Sequence, residues 1–158
     1  MLSYVPILAA LLVLSTPAAA GPGAAGHSHD HGGGEAPYGV PGDPRAPARI
    51  VPIVMRDEMR FVPDRFTIRR GETIRFVARN VGEVRHEMVL GTMEELQEHA
   101  ALMQRFPEME HDDPNARTVE PRRTGDLIWR FTRPGTFHIG CLVPGHLELG
   151  MVATVVVR

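Results

Sequence analysis

"GTFHIGCLVPGHLELGMVATVVV", residues 135–157, reads as a strand, a loop and a second strand. In the first part Phe137, Ile139 and Cys141 alternate onto one face, as a half-buried strand requires. The last part, Met151 to Val157, is apolar on both faces and predicts a central or doubly covered strand. Pro144-Gly145 marks the loop between them. Cys141, the single cysteine of the chain, ends the first strand. His146 lies in the loop and Met151 opens the next strand, with four residues in each gap.

The same alternation extends upstream. In "ETIRFVARN" Ile74, Phe76 and Ala78 share one face and Arg75 and Arg79 the other, after a turn at Arg70-Gly71-Glu72. "DLIWRF" sets Leu127, Trp129 and Phe131 on one face, and Arg133-Pro134-Gly135 turns the chain into the strand that ends at Cys141. One segment breaks the pattern. "TMEELQEHAALMQRF" offers Thr92 as N-cap and Glu95 three residues later, the signature of a capping box. Leu96, Ala100, Met103 and Phe106 then recur at helical spacing until Pro107. Strands at short intervals with one inserted helix, around residues 92–106, predict an all-β fold, an antiparallel β-sandwich with Greek-key connections.

The N-terminus reads differently. Val5 to Leu14 is almost wholly apolar, and Ala18-Ala19-Ala20 supplies the small residues of a cleavage site, so residues 1–20 are expected to be a signal peptide. That run is short for a bilayer span, and none is expected after its removal. Residues 21–49 are rich in Gly, Pro and Ala around "HSHDHGGG" and read as a disordered arm. Residues 50–158 form the expected domain, in a protein placed in the periplasm.

Charge excludes one class of partner. The 17 basic and 19 acidic residues give a formal net charge of −2, so no bulk attraction to nucleic acid is expected. Every basic residue is an arginine. Eight of them fall in Arg56–Arg85, while seven acidic residues fall in Glu94–Asp113, an asymmetry that two solvated faces explain.

An oxidising compartment normally uses cysteines in pairs, so Cys141 is a buried inert thiol, an intermolecular link or a ligand. The strand assignment bears on the choice. A loop that folds back brings Cys141, His146 and Met151 to one end of the sandwich, and "VRHEMVL" places His86 at the start of another strand. Two imidazoles, a thiolate and a distant thioether are the ligands of a type 1 copper site. His99 and His138 are alternative donors, but His99 sits on the helix and His138 alternates away from the face of Cys141. Met88 shares the side of His86, where core packing accounts for it.

With these residues in place, the region from Ile50 to Arg158 resembles the cupredoxins, the blue copper family of plastocyanin, azurin, pseudoazurin and rusticyanin. The resemblance implies His86, Cys141, His146 and Met151 as metal ligands. "RFTIRRGETIRFVARNVGEVRHEMVL" is similar to the family's N-terminal half, and the two four-residue gaps of the ligand loop are most like rusticyanin. One position departs: many cupredoxins carry Asn or Ser directly after the first His, where this chain has Glu87.

The resemblance implies one copper ion, cycling between Cu(II) and Cu(I), in a protein that is not an enzyme. A multicopper oxidase or nitrite reductase needs further cupredoxin domains, for which 158 residues leave no room. The function expected is periplasmic copper tolerance; the alternative is a blue-copper electron carrier. A carrier would dock transient redox partners through Leu142, Val143, Pro144 and Leu147 around His146. Weaker accessory copper sites are expected in two places. His27, His29 and His31 alternate in the arm, which reads equally as a metal-capturing and as a solvated tail. Met93, His99, Met103, Met109 and His111 crowd the helix and the acidic segment after it, although Met103 at helical spacing fits the core better than a metal.

Overall fold

The computed structural model describes residues 35–107 and 113–158. Its strands are β1 (Val40–Pro41), β2 (Arg49–Arg56), β3 (Arg60–Val62), β4 (Arg65–Ile68), β5 (Thr73–Asn80), β6 (His86–Gly91), β7 (Ala116–Val119), β8 (Thr124–Arg130), β9 (Gly135–Gly140) and β10 (Val152–Val157). Among the described residues one helix, α1 (Met93–Arg105), is inserted between β6 and β7. The strands form two five-stranded sheets, ordered β1-β8-β5-β2-β3 and β4-β10-β9-β6-β7. The chain changes sheet after β3, β4, β5, β7 and β8, so the turn at Arg133–Gly135 joins strands of opposite sheets.

The expected β-sandwich with an inserted helix is therefore the observed architecture, with one correction to its strand directions. The sheets are mixed: β2 pairs β5 in parallel and β10 pairs β4 in parallel. Alternation tells which face a residue takes and carries no information on strand direction, which the crossovers between sheets decide.

The inward faces are those the alternation predicts. Ile74, Phe76 and Ala78 are fully buried, as are Phe131, Ile139 and Cys141. Phe76 packs edge-on against Phe66 and Phe131, with ring centroids 5.5 and 6.3 Å away. Such aromatic pairs are favourable beyond the area they bury. β10 lies between β4 and β9, and Ala153, Val155 and Val157 point into the core.

The described part of the arm departs from the reading as disordered. Val40 and Pro41 pair with Trp129 and Arg130 of β8. Tyr38 is buried against Trp129 and Phe137, its hydroxyl accepting from Asn115 Nδ2 and its carbonyl from the Trp129 indole. One aromatic side chain supplies enough apolar area to order a segment that is otherwise Gly- and Pro-rich. The assigned signal peptide and the histidines of the arm lie outside the described residues.

The capping box of α1 is present in both halves. Thr92 Oγ1 accepts from the Glu95 amide, and the Glu95 carboxylate accepts from the Thr92 amide at 2.8 Å. Leu96, Ala100 and Met103 are buried against Val89 and Leu142 on the outer face of the second sheet. Phe106 does not join them. It terminates the helix, half exposed, with the Arg105 guanidinium over its ring. Past the last helical turn the backbone no longer carries the 3.6-residue period, so a side chain there leaves the apolar stripe.

Candidate metal centre

β6 and the β9–β10 connection set the centre at one end of the sandwich. His86 is the first residue of β6, a strand buried along its whole length. Cys141 directly follows β9, and its amide donates to the Met151 carbonyl at 3.0 Å. The Met151 amide in turn donates to the His146 carbonyl, also at 3.0 Å. The loop thus closes on itself before β10 begins. Two glycines make the closure possible: Gly145 and Gly150 both have φ of +88°, a left-handed conformation costly for residues with a Cβ.

The side chains of His86, Cys141 and His146 converge, their candidate ligand atoms all within 4.8 Å of one another. Cys141 Sγ lies 3.3 Å from His146 Nδ1 and 4.0 Å from His86 Nδ1. Met151, joined to Cys141 and His146 through its backbone, is fully buried in the core. Both histidines present the same ring nitrogen to the sulfur. A first-row metal ion, with bonds of about 2.0–2.1 Å to nitrogen and ~2.3 Å to sulfur, bridges gaps of this size. A soft thiolate with two imidazoles is a donor set suited to copper. The residues fit the ion.

Burial controls the protonation of the centre. It pushes the Cys141 thiol up to about 12, against the smaller opposing effect of the Glu87 and Val143 amides, so without metal the sulfur is neutral at pH 7. Burial, followed by the neighbouring His86, lowers the pKa of His146 and keeps its imidazole a neutral donor. The Glu87 amide donates to Sγ at 3.3 Å. Glu87 is buried, yet its backbone braces the sulfur where the family resemblance led us to expect an Asn or Ser.

Other candidates are placed elsewhere. His138 faces away from the centre on β9, paired across the ladder with Gly91 and Thr154. Met88 is a fully buried core residue. Met103 packs into the helix–sheet cluster, which argues against an accessory copper site there. Met93 and His99 are only partly buried on the same helix. Met109 and His111 lie outside the described residues. Leu142 is also removed from the expected docking patch, because it is 1% exposed and packs under α1. Val143 and Leu147 are half-buried beside His146, and Pro144 is exposed.

Three residues of the surroundings escaped the sequence reading. Asp57, in the β2–β3 turn, places Oδ1 3.1 Å from His86 Nε2. Its carboxyl is held below the usual range, first by the Glu83 amide and further by His86. Arg60, the first residue of β3, donates to the Leu149 carbonyl at 3.1 Å, two residues before Met151. Asn80 is fully buried at the end of β5. Its amide group donates to the Val84 and Val119 carbonyls, and its oxygen accepts from the Gly82 amide, which shapes the loop leading to His86. Gly82, two residues on, was a visible turn signal for Asn80; for Asp57 and Arg60 none was available.

Asn80→Ala leaves those backbone groups without partners, at about 1–3 kcal/mol for an unsatisfied buried group. The expected outcome is a lower urea midpoint together with weakened copper binding, because the loop before His86 loosens; equilibrium unfolding and a copper titration of the same variant check both.

The comparisons with known proteins agree with this geometry. Residues 50–158 match the model of the copper binding proteins of the plastocyanin/azurin family. The chain belongs to that family. It is 50% identical over 135 residues, 85% of this chain and 80% of the relative, to the copper-resistant cuproprotein CopI of Rubrivivax gelatinosus. It is 31% identical over 124 residues, 77% of this chain and 73% of the relative, to a copper-resistant cuproprotein CopI of Vibrio cholerae. The structure of a dithionite-reduced auracyanin from Roseiflexus castenholzii superposes with a TM-score of 0.62 at 18% identity, covering 72% of this cupredoxin and 99% of that chain. At that identity the likeness is one of fold. Among the described residues no helix of the cupredoxin is long and apolar enough to cross a membrane.

Proposed function

We propose that this cupredoxin is a copper-tolerance protein that holds one copper ion through His86, Cys141, His146 and Met151 in the periplasm. The observation that carries the reading is the convergence of a buried thiol with two Nδ1 atoms at 3.3 and 4.0 Å. The two CopI relatives, named for copper resistance, support the physiological half of it.

Each residue has a distinct task. Copper, when bound, supplies a one-electron couple between Cu(II) and Cu(I). The Cys141 thiol gives up its proton on loading and becomes the soft donor, while the Glu87 amide offsets part of the charge left on sulfur. His86 is fully buried and fixes the inner wall, and Cys141 is itself fully buried, so bulk water does not reach the sulfur. His146 is only partly buried, so it forms the outer edge of the centre. The binding chemistry needs no catalytic acid or base, and the protein is not an enzyme in this reading. Export is assigned to residues 1–20 as a cleaved signal.

A second reading, electron transfer between redox partners, draws on one observation. His146 is only partly buried, near the exposed Pro144, so the outer edge of the centre reaches a surface where a partner could dock briefly. Complementation of a copper-sensitive bacterial strain discriminates the two. Restored growth at toxic copper with the full chain, and none with Cys141→Ser, is the result expected for tolerance. Growth unchanged by the full chain, despite one copper bound per molecule, sinks the tolerance reading in favour of the carrier.

A further inference from the structure

The β2–β3 turn grips His86 from behind. Asp57 Oδ2 accepts from the Glu83 amide at 2.7 Å, which fixes the carboxylate, and Oδ1 faces His86 Nε2 at 3.1 Å. The approach leaves no slack: a Cβ built on Gly82 falls 1.7 Å from Asp57 Oδ1, so this arrangement requires glycine there. His86 is fully buried, whereas the Asp57 side chain is 38% exposed. A carboxylate at the surface thus makes a hydrogen bond to a ring that is otherwise sealed in the interior.

The bond selects a tautomer. A carboxylate only accepts, so Nε2 carries the proton and Nδ1 keeps its lone pair. Nδ1 is the nitrogen that faces Cys141 Sγ. The carboxylate also makes the imidazole a stronger donor and sets a negative charge next to the ring. Both effects favour Cu(II), the more highly charged state, over Cu(I).

We propose that Asp57 is a positioning residue of the metal centre, which fixes the His86 tautomer and poises the bound ion toward Cu(II). The proposal rests on His86 being a copper ligand, as in the function proposed above. Asp57 tunes how readily the centre gives up an electron, from a position at the surface.

Two variants of the full chain test it, Asp57→Asn and Asp57→Ala. Asn keeps an oxygen for the His86 N–H and removes the charge, while its amide nitrogen takes the place of the oxygen that accepts from the Glu83 amide. Its centre is expected to keep the wild-type visible spectrum while Cu(I) becomes about tenfold more favoured, a rise of ~59 mV for one electron. Ala removes the acceptor as well. Ring ¹⁵N shifts of its metal-free form should show His86 losing its fixed Nε2–H tautomer, and Cu(II) affinity should fall about 10–100-fold. A merely structural role would lower the stability of both variants and leave the potential of the Asn variant unmoved. Wild-type protein without a thiolate–copper band removes the ligand assignment itself. With that band present, a wild-type potential in Asp57→Asn overturns the role of Asp57 alone.

Discussion

Cys141→Ser is expected to abolish the intense visible band of the copper-loaded protein, with the fold retained. The band requires a thiolate bound to Cu(II), and Ser offers a harder, poorly acidic oxygen in its place. Little else changes. The backbone bond from residue 141 to the Met151 carbonyl survives, and a serine hydroxyl still accepts from the Glu87 amide that now faces sulfur. A second readout follows from burial, which holds the metal-free thiol near 12. Loading copper at pH 7 therefore expels the Cys141 proton. In weakly buffered solution a pH indicator should register that proton for the wild type and lose its contribution in the variant. The sign also fixes the direction with pH: the metal-free thiol grows more easily ionised as pH rises, so apparent affinity climbs from acid toward alkaline conditions. An unaltered visible band in Cys141→Ser would end the assignment of the ligand set.

The largest stability effect is expected at the opposite end of the causal chain, in Phe76→Ala. Phe76 is fully buried and touches the rings of both Phe66 and Phe131. Its removal loses the transfer free energy of a phenyl ring and leaves a cavity between two rigid sheets that collapse poorly. The cost is about 3–5 kcal/mol, a large part of the ~5–15 kcal/mol that stabilises an ordinary domain. The urea midpoint should fall steeply at an unchanged slope. Excess copper should recover part of the loss, because the assembled centre of the folded chain binds the ion more tightly than the same residues do in the unfolded chain. A midpoint within a few tenths of wild type would mean that the aromatic core is not packed as described.

The two tests also separate what the sequence carries from what it conceals. Strand faces were readable because alternation is a local property, and the buried Ile74, Phe76, Trp129 and Ile139 lie where it puts them. The helix was readable from its cap, since Thr92 and Glu95 satisfy each other within one turn. His86, Cys141 and His146 stood out because soft donors near a lone cysteine are chemically unusual, and the fold brings those three together. Hidden from that reading were contacts between distant segments. Asp57 meets His86 across 29 residues, and Arg60 reaches the Leu149 carbonyl across 89. Neither residue has an unusual neighbour in sequence. Tyr38 was concealed for another reason: composition averages over the arm, and a single aromatic outweighs its surroundings. Strand direction was hidden too, because parallel pairing follows from the route of the chain between sheets.

That route carries a consequence for how the molecule comes together. β10 pairs on one side with β9, just before it in the chain, and on the other with β4, where Thr154 sits opposite Arg65. The second sheet thus waits for a strand that emerges long after its earliest partner, the kind of remote pairing that makes folding slow. Until β10 docks, residue 141 lacks its bond to the Met151 carbonyl and the thiol has no closed cavity around it. The interval in which this cysteine is open to stray oxidants is thus set by the slowest closure in the topology. Metal that arrives in that interval meets a pliable thiol; metal that arrives later meets a finished cage.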